Sequence, residues 1–390
     1  MHTFYGYRRQ QGLPGVRNWV AIIPSVFCAN TVVRRIAQQV VGAVELTHPV
    51  GCSQVGLDLE LTAKALKGVG RHPNFYGVVV VGLGCERFQA QELADSIAAM
   101  GKPVEMVVIQ EEGDTQKAID KGVRLALKLV EQAAKQQKEE FPLSELCLGL
   151  KCGGTDSTSG IAANPALGWV TDQIVAEGGS AMLTEVTELI GAEHVLARRA
   201  VTPEVGQKIL ETVRNMENKL KVGTAHSDLQ NRSALISPGN EDGGVTTVVE
   251  KALGGIHKGG TGPITGVLAY GEPIGEPGLY ILDCPGHDGE AVTGLAASGC
   301  QVVVFTTGRG TPTGFPGVPV IKITGNTSTF ERMKFNLDFN AGEIIDKGLS
   351  IPEVGAGLLQ KVIETASGVP TKAEIGMNDE LFCITRSYGG

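Results

Sequence analysis

The feature that most constrains the fold is a regular alternation of short apolar runs with amphipathic stretches of helical spacing. The strongest run is residues 77–82 (GVVVVG), whose four consecutive valines are typical of a strand buried on both faces of a parallel sheet. Weaker runs at 20–23, 43–47 and 104–109 are each followed or preceded by a helix-like segment, and Asp114 is placed to N-cap a long helix. This alternation predicts an α/β fold with mainly parallel sheets.

A charged stretch divides this alternation into two parts. Residues 136–142 (QQKEEFP) end in proline, and strand candidates resume at 146–150 and continue to 318–323. We therefore predict an N-terminal α/β domain of residues 1–142 and a C-terminal, Rossmann-like catalytic domain of residues 143–390. The polar stretch 221–242 is long for a loop, which favours a functional surface or a lid.

The composition excludes several classes of protein. The net charge of −8 disfavours a nucleic-acid or anionic-membrane surface. No apolar stretch approaches the roughly 20 residues that span a bilayer, and the polar, basic start lacks the apolar core of a signal peptide. We expect a cytoplasmic enzyme that acts on a small molecule. Eight widely spaced cysteines are then more typical of buried, catalytic or metal-binding residues than of disulfides.

Residues that can do chemistry follow the apolar runs, in short loops that contain glycine. Five such loops are HPVGC at 48–52, GLGCER at 82–87, KCGGTD at 151–156, DCPGHD at 283–288 and TTGRG at 306–310. Because ligands of open parallel sheets bind outside the carboxyl ends of the strands, these loops predict a shared site.

Three of these loops place a cysteine directly beside glycine, namely Cys52, Cys85 and Cys152. Soft thiolates select an iron–sulfur cluster or zinc, which makes these three the candidate metal ligands. The alternative is that each is a small buried residue at the end of a strand. Cys28, which precedes a helix-like segment, fits either interpretation.

A second candidate set combines imidazole and carboxylate groups. His48, Asp156, Glu185 and His287 follow strand candidates, and such mixed ligands suit Fe²⁺ or Mn²⁺. The same four residues are the candidates for acid and base catalysis.

Other residues are candidates for binding an anionic substrate. Lys258 opens a KGGTG turn whose backbone N–H groups can hold a carboxylate or sulfonate, and Arg309 can grip a planar anion bidentately. Thr307 and Asn326 are the further substrate-binding candidates. The glycines at 82–84 lack the third glycine of a dinucleotide fingerprint, and no P-loop is present.

Several long motifs carry a family resemblance. They are RHPN at 71–74, VVVVGLGCE at 78–86, KCGGTDSTSGIAANPALG at 151–168, GAEHVLARRA at 191–200, SPGNEDGGVTTVVEKALGGIHKGGTGPI at 237–264 and VFTTGRGTPTGFPGVPVIKITGN at 304–326. With these stretches the chain resembles the altronate and galactarate dehydratase family over nearly its whole length.

The resemblance implies β-elimination of water from a sugar acid with the help of iron or a similar divalent metal. The family also includes two-subunit (2R)-sulfolactate sulfo-lyases, which release sulfite. Its members usually have a small β-clip-like domain, fused ahead of this region or present as a separate chain. We therefore expect a small β-clip-like partner subunit, in a homodimer or a heterotetramer.

These observations lead to the hypothesis of a metal-dependent lyase. His48, Asp156 and Glu185 are the candidate bases, with His287 as the acid for the leaving group. Two alternatives from other classes are a non-catalytic sugar-acid-binding subunit and a nicotinamide-dependent oxidoreductase. The broken glycine fingerprint counts against the second.

Overall fold

The computed structural model describes residues 1–222 and 235–387. Its strands are β1 (Thr3–Gly6), β2 (Trp19–Pro24), β3 (Ala43–Glu45), β4 (Phe75–Gly82), β5 (Val104–Val108), β6 (Glu139–Pro142), β7 (Cys147–Gly153), β8 (Ser180–Leu183), β9 (Ile264–Leu268), β10 (Leu279–Leu282), β11 (Val302–Thr307), β12 (Val320–Thr324) and β13 (Phe339–Asn340). Its helices are α1 (Asn30–Ala37), α2 (Gly56–Arg71), α3 (Ala90–Ala98), α4 (Ile109–Glu112), α5 (Thr115–Ala133), α6 (Asn164–Ala176), α7 (Glu193–Ala197), α8 (Pro203–Val222), α9 (Pro238–Asp242), α10 (Val248–Ile256), α11 (Asp288–Ala297), α12 (Thr327–Arg332), α13 (Glu343–Asp346), α14 (Ile351–Ala366) and α15 (Lys372–Ile375).

The N-terminal sheet is parallel and has the strand order β3-β2-β4-β5. The polyvaline strand β4 is one of its two central strands and is buried along nearly its whole length, as the sequence predicts. Val79 and Val81 pack on one face with α1 and α5, whereas Val78 and Val80 pack on the other face against α2. Successive side chains of a strand point to opposite faces, so an unbroken valine run is what a sheet covered on both sides requires. Asp114 accepts a hydrogen bond from the N–H of Lys117 and so caps α5, which confirms the predicted helix start.

The C-terminal sheet is also parallel, and within the described residues it has seven strands in the order β13-β12-β11-β7-β8-β10-β9. From β7 the chain continues to β8 on one side and later returns to β11 on the other. The strand order therefore reverses between β7 and β11, and at such a switch point neighbouring loops diverge and leave a crevice. The molecule thus has two α/β domains with mainly parallel sheets.

The two sheets share one apolar layer. Val303 and Phe305 of β11 belong to the same buried cluster as Val78 and Val80 of β4, while Val302 and Val304 face α6 and α14 on the far side. Between the sheets α2 packs on α11. The approach is so close that a Cβ at Gly68 would lie 2.3 Å from the carbonyl oxygen of Ala297.

Two segments need particular comment. The charged stretch 136–142, interpreted above as a domain boundary, contains strand β6, which pairs antiparallel with β1; Phe141 stacks on Phe4 with ring centroids 5.8 Å apart. Of the stretch 221–242, interpreted as a loop, the start belongs to α8 and the end to α9, which has a capping box at Ser237; residues 223–234 lie outside the described residues. Among the described helices, none is both long and apolar enough to span a bilayer.

Candidate active site

The loops that follow β7 and β11 meet at the switch point of the C-terminal sheet. The N–H groups of Gly308 and Arg309 both donate to the carbonyl oxygen of Gly154, at 3.1 Å. The contact is close because Gly308 has no side chain, since a Cβ there would lie 2.2 Å from Cγ of Asp156. Two of the predicted loops, KCGGTD and TTGRG, are therefore joined and form one wall of the candidate site.

Beneath this wall lies a buried ionic network. Glu185 accepts a charge-assisted hydrogen bond from Lys151, and its second carboxylate oxygen lies 3.0 Å from Nζ of Lys258. All three side chains are fully buried. Lys151 also lies 2.8 Å from Asp288, and the N–H of Cys152 donates to Glu185 at 2.9 Å. Buried charges are tolerated only when they are paired, so each member of the network depends on its partners.

The backbone of Glu185 is strained at this point. Its φ is 70°, in the left-handed region that residues other than glycine rarely adopt. Strain of this kind is held by its surroundings and concentrates at functional sites. Although Nζ of Lys258 is close to Glu185, it has no hydrogen bond of good geometry within the described residues, and neither has Oε2 of Glu188. Polar atoms buried without partners are available to a ligand.

The charges of the network shift the pKa values of its members. Burial raises the pKa of the Glu185 carboxyl, and the charge of Glu188 raises it further, against the effect of the two lysines. Burial lowers the pKa of Lys151, but the carboxylates of Glu185 and Asp288 outweigh it and leave the pKa above its ordinary value. The pKa of Lys258 is raised in the same way. Ammonium groups beside a carboxylate of raised pKa can stabilise negative charge while the carboxylate accepts a proton.

The predicted residue Asp156 lies in the same wall. Its Oδ1 accepts three hydrogen bonds, from Oγ1 of Thr158 and from the N–H and the hydroxyl of Ser159. Its Oδ2 has a weaker contact, at 3.4 Å from Nδ2 of Asn326, which also caps α12. Asp156 is therefore held in place, and the structure brings it together with the predicted Asn326.

The other predicted residues of this sheet surround the network. Thr307 is buried and accepts from the N–H of Gly310 at 3.0 Å, whereas the Arg309 side chain is about half exposed beside Asp242. His287 precedes α11, is largely exposed and lies 3.9 Å from Glu290. It borders a cavity of about 270 Å³ whose wall includes Glu188, Lys251 and Gly286. The carbonyl oxygen of Gly286 in turn accepts from Lys151 at 3.3 Å.

His48 has a different setting. It lies on the N-terminal sheet, where one ring nitrogen donates to the carbonyl oxygen of Pro24 at 2.9 Å and the other accepts from the N–H of Val50 at 3.3 Å. Burial lowers its pKa to about 4, so the ring is neutral near pH 7. This geometry speaks against His48 as the base, because neither nitrogen is free to take a proton from a substrate.

The three predicted metal ligands are divided between the sheets. Cys152 is buried at the end of β7, where burial raises the pKa of its thiol, while Cys52 and Cys85 are exposed on loops of the N-terminal sheet. Within residues 1–222 and 235–387, no three His, Cys, Asp or Glu side chains are placed to hold a single metal ion. A single ion bound by these three cysteines, or by the mixed set that includes His48, does not fit this arrangement.

Sequence reasoning missed Lys151, Glu188 and Lys251. Lys151 carried a usable signal, because it is a charged residue that directly follows the apolar run at 146–150 and ends a strand buried along its whole length. A lysine there must have carboxylate or carbonyl partners. Glu188 and Lys251 pair at 3.1 Å across distant segments, and no local pattern indicates this contact.

Comparison with known proteins identifies the relatives of this chain. The family profile described as D-galactarate/Altronate dehydratase, C-terminal, matches residues 143–389, and the profile for the second domain of D-galactarate dehydratase/Altronate hydrolase matches residues 6–134. An altronate dehydratase of Bacillus subtilis is 40% identical over 377 residues, covering 94% of this chain and 74% of the relative. A (2R)-sulfolactate sulfo-lyase subunit beta of Chromohalobacter salexigens is 35% identical over 390 residues, covering 99% and 98%. A galactarate dehydratase (L-threo-forming) of Escherichia coli is 38% identical, covering 94% and 73%.

These relatives define a lyase that breaks a carbon–oxygen or carbon–sulfur bond. The chain belongs to the D-galactarate/altronate dehydratase family, which confirms the resemblance found in the sequence. Relatives named as dehydratases and a sulfo-lyase favour this class over the two alternatives, a non-catalytic binding subunit and a nicotinamide-dependent oxidoreductase.

Proposed function

We propose that the protein is a metal-dependent lyase that removes a β-substituent from a small 2-hydroxy acid. The substrate is a sugar acid of the altronate or galactarate type, which loses water, or (2R)-sulfolactate, which loses sulfite. The observation that carries the proposal is the buried Lys151–Glu185–Lys258 network at the switch point of the C-terminal sheet. It provides a base and two cations next to Gly286, which lines the cavity of about 270 Å³.

The chemical difficulty is the proton at C2 of the substrate, since the adjacent carboxylate makes it a weak acid. In the proposed reaction Glu185 accepts this proton, and the C2–H electrons form a double bond to C3. The bond from C3 to oxygen or sulfur breaks, and its electrons leave with the hydroxyl or the sulfite. The resulting enol becomes the 2-keto acid by taking a proton at C3 and releasing the proton of its C2 hydroxyl.

Other residues support these steps. Lys151 and Lys258 stabilise the charge that develops on the substrate. His287, at the mouth of the cavity beside Glu188, donates the proton that a leaving hydroxyl requires. Arg309, Thr307 and Asp156 bind the hydroxyl and acid groups of the substrate. A bound metal would add Lewis-acid stabilisation of the same negative charge.

A second subunit belongs to the proposal. The relative that this chain covers for 98% of its length is named as a subunit beta, so it works as part of a larger enzyme. We propose a small β-clip-like partner for this chain too, and a cytoplasmic location for the complex.

A substrate panel tests the proposal. The purified chain, alone and co-expressed with a small β-clip-like protein, is given altronate, galactarate and (2R)-sulfolactate under anaerobic conditions with added Fe²⁺. We expect a 2-keto-3-deoxy acid from one of the sugar acids, or pyruvate and sulfite from sulfolactate, with faster turnover by the complex. Binding of these acids without any keto acid formation would contradict the proposal.

A further inference from the structure

A cavity of about 420 Å³ lies between the two domains, at the amino ends of their strands. Cys147, the first residue of β7, lines this cavity. At the other end of the same strand, the N–H of Cys152 donates to Glu185 of the proposed active site. Because a strand rises about 3.3 Å per residue, the cavity and that site are roughly 20 Å apart. The cavity is therefore separate from the place where elimination is proposed.

The wall of this cavity is basic, although the chain as a whole has a net charge of −8. None of the described lining residues is aspartate or glutamate, whereas six are lysine or arginine, namely Arg8, Arg9, Lys64, Lys67, Arg71 and Lys102. Arg8 pairs with Glu139 and Lys67 pairs with Glu92. Within residues 1–222 and 235–387, the other four have no carboxylate at ion-pair distance. The cavity therefore has an excess of positive charge.

Arg9 and Lys102 are the partly buried members of this excess. Nε of Arg9 donates to the carbonyl oxygen of Pro73, and Nζ of Lys102 donates to that of His72, each at 2.6 Å. Two cations are thus held by the carbonyl groups of consecutive residues, which do not cancel a full charge. Burial lowers the pKa of Arg9 to about 10, and burial together with the charge of Arg9 lowers the pKa of Lys102. An anion bound in the cavity would offset this repulsion.

Two further polar groups of the wall have no partner among the described residues. The hydroxyl of Ser298, directly after α11, is buried and forms no hydrogen bond there. Lys64, exposed on α2, forms neither a hydrogen bond nor an ion pair within the same residues. Binding to the carbonyl groups at helix ends accounts for Lys102, but it does not account for these two groups. Both are available to a ligand that enters between the domains.

The rest of the wall is largely apolar. Leu13, Tyr76, Met100 and Ile274 are among its residues. Sites for small molecules commonly combine such a surface with a few polar groups that fix the orientation of the ligand, in a volume of about 300–1,000 Å³. An inorganic anion would leave the apolar surface unused. An organic anion can place its charged group on the cations and its carbon body on this surface.

We propose that this cavity is a second ligand site, which binds a small organic anion through Arg9, Lys64, Lys102 and Ser298. The charged group of the ligand is a phosphate ester or a set of carboxylates, since both suit lysine and arginine donors. Because α2 belongs to one domain and Ser298 to the other, the bound anion connects the two domains. The site takes no part in the proposed elimination and does not depend on it.

Titration calorimetry with the purified protein tests this site. The probes are 5′-AMP, citrate and inorganic phosphate. We expect AMP or citrate to bind with one molecule per chain, and the one that binds identifies the charged group as a phosphate ester or as carboxylates. Inorganic phosphate should bind at least about 10-fold more weakly than the better of the two, because it cannot use the apolar surface.

Variants locate the bound probe. Ser298→Ala and Lys64→Gln should each weaken binding by about 3- to 10-fold, and Arg9→Gln should weaken it more. Lys334→Gln, which removes an exposed lysine outside the cavity, should bind as the wild type does. Thermal unfolding without a probe checks the fold, and Ser298→Ala and Lys64→Gln should keep the stability of the wild type because they remove groups without partners.

Two results would overturn the site. One is a wild type that binds neither AMP nor citrate. The other is a probe that binds folded Ser298→Ala and Lys64→Gln as tightly as it binds the wild type, because the anion would then lie elsewhere. These two variants decide the question even if Arg9→Gln, which loses hydrogen bonds to backbone carbonyl groups, does not fold.

Discussion

Buried lysines in this protein are of two kinds, which differ in their neighbours. Lys151 and Lys258 face carboxylates, which raise their pKa values despite burial. Lys322 donates to the carbonyl oxygens of residues 312 and 313, and burial lowers its pKa to about 8. The carbonyl-bound lysine fastens a loop, whereas the carboxylate-bound pair forms the site. A buried lysine is therefore informative only when its partners are known.

His48 gives a prediction at the scale of one residue. Its folded pKa is about 4 against an ordinary value of 6.5, so protonation below pH 6.5 favours the unfolded chain. The contribution of this pKa difference to the free energy of unfolding is fully present above pH 6.5. It is lost as the pH falls towards 4, and it amounts to about 3 kcal/mol. We expect the free energy of unfolding, measured with denaturant, to fall over this range in the wild type. His48→Gln should be less stable at pH 7 and should lose part of this pH dependence. An unchanged pH dependence would show that His48 is not buried as described.

At the scale of elements, the contact between α2 and α11 joins the two sheets. Gly68 allows it, because a Cβ there would lie 2.3 Å from the carbonyl oxygen of Ala297. The atoms that an added Cβ would meet are the carbonyl oxygen and the Cβ of Ala297. Both are fixed by the backbone of α11, so neither can move aside easily. The glycine was visible in the sequence, but its contact joins residues 229 positions apart, and no local pattern predicts such a pairing.

Gly68→Ala should therefore destabilise the protein although alanine is the better helix former. We expect a loss of about 1–3 kcal/mol in the free energy of unfolding. The matched control is Gly357→Ala in α14, where the nearest atoms to an added Cβ lie at 3.5 Å. There the change should be neutral or should stabilise by up to about 1 kcal/mol. Equal effects of the two changes would contradict the close packing of α2 on α11.

At the scale of the whole molecule, local patterns predicted the strands and the loops but not which loops meet. The valine run of β4 and the glycine-flanked loops were evident because burial and turn geometry leave a mark on neighbouring residues. Cys52, Cys85 and Cys152 have matching local sequences, yet two lie on one sheet and the third on the other. Strand order decides this, and it is set by contacts between distant segments. For the same reason His48 resembled a catalytic residue in the sequence. In the structure both of its ring nitrogens form hydrogen bonds with backbone groups.

For the molecule as a whole, we propose that elimination takes place at the C-terminal switch point, with Glu185 as the base. Its most direct variant is Glu185→Gln, which keeps the size of the side chain but cannot accept the proton. Because this change removes the carboxylate beside Lys258 and leaves Lys151 with Asp288 alone, the double variant Glu185→Gln with Lys151→Met removes one buried charge and should recover stability without recovering activity. Glu131→Gln, on the exposed side of α5, is the matched control.

The deciding measurement is proton NMR of the reaction in D₂O with the acid that the panel identifies. With the wild type and Glu131→Gln, we expect a 2-keto acid that carries one deuteron at C3, because solvent protonates the enol there. With folded Glu185→Gln, and with the double variant, product formation should be about 10²- to 10⁴-fold slower. Product formation by Glu185→Gln at the wild-type rate would contradict an elimination site built on this network.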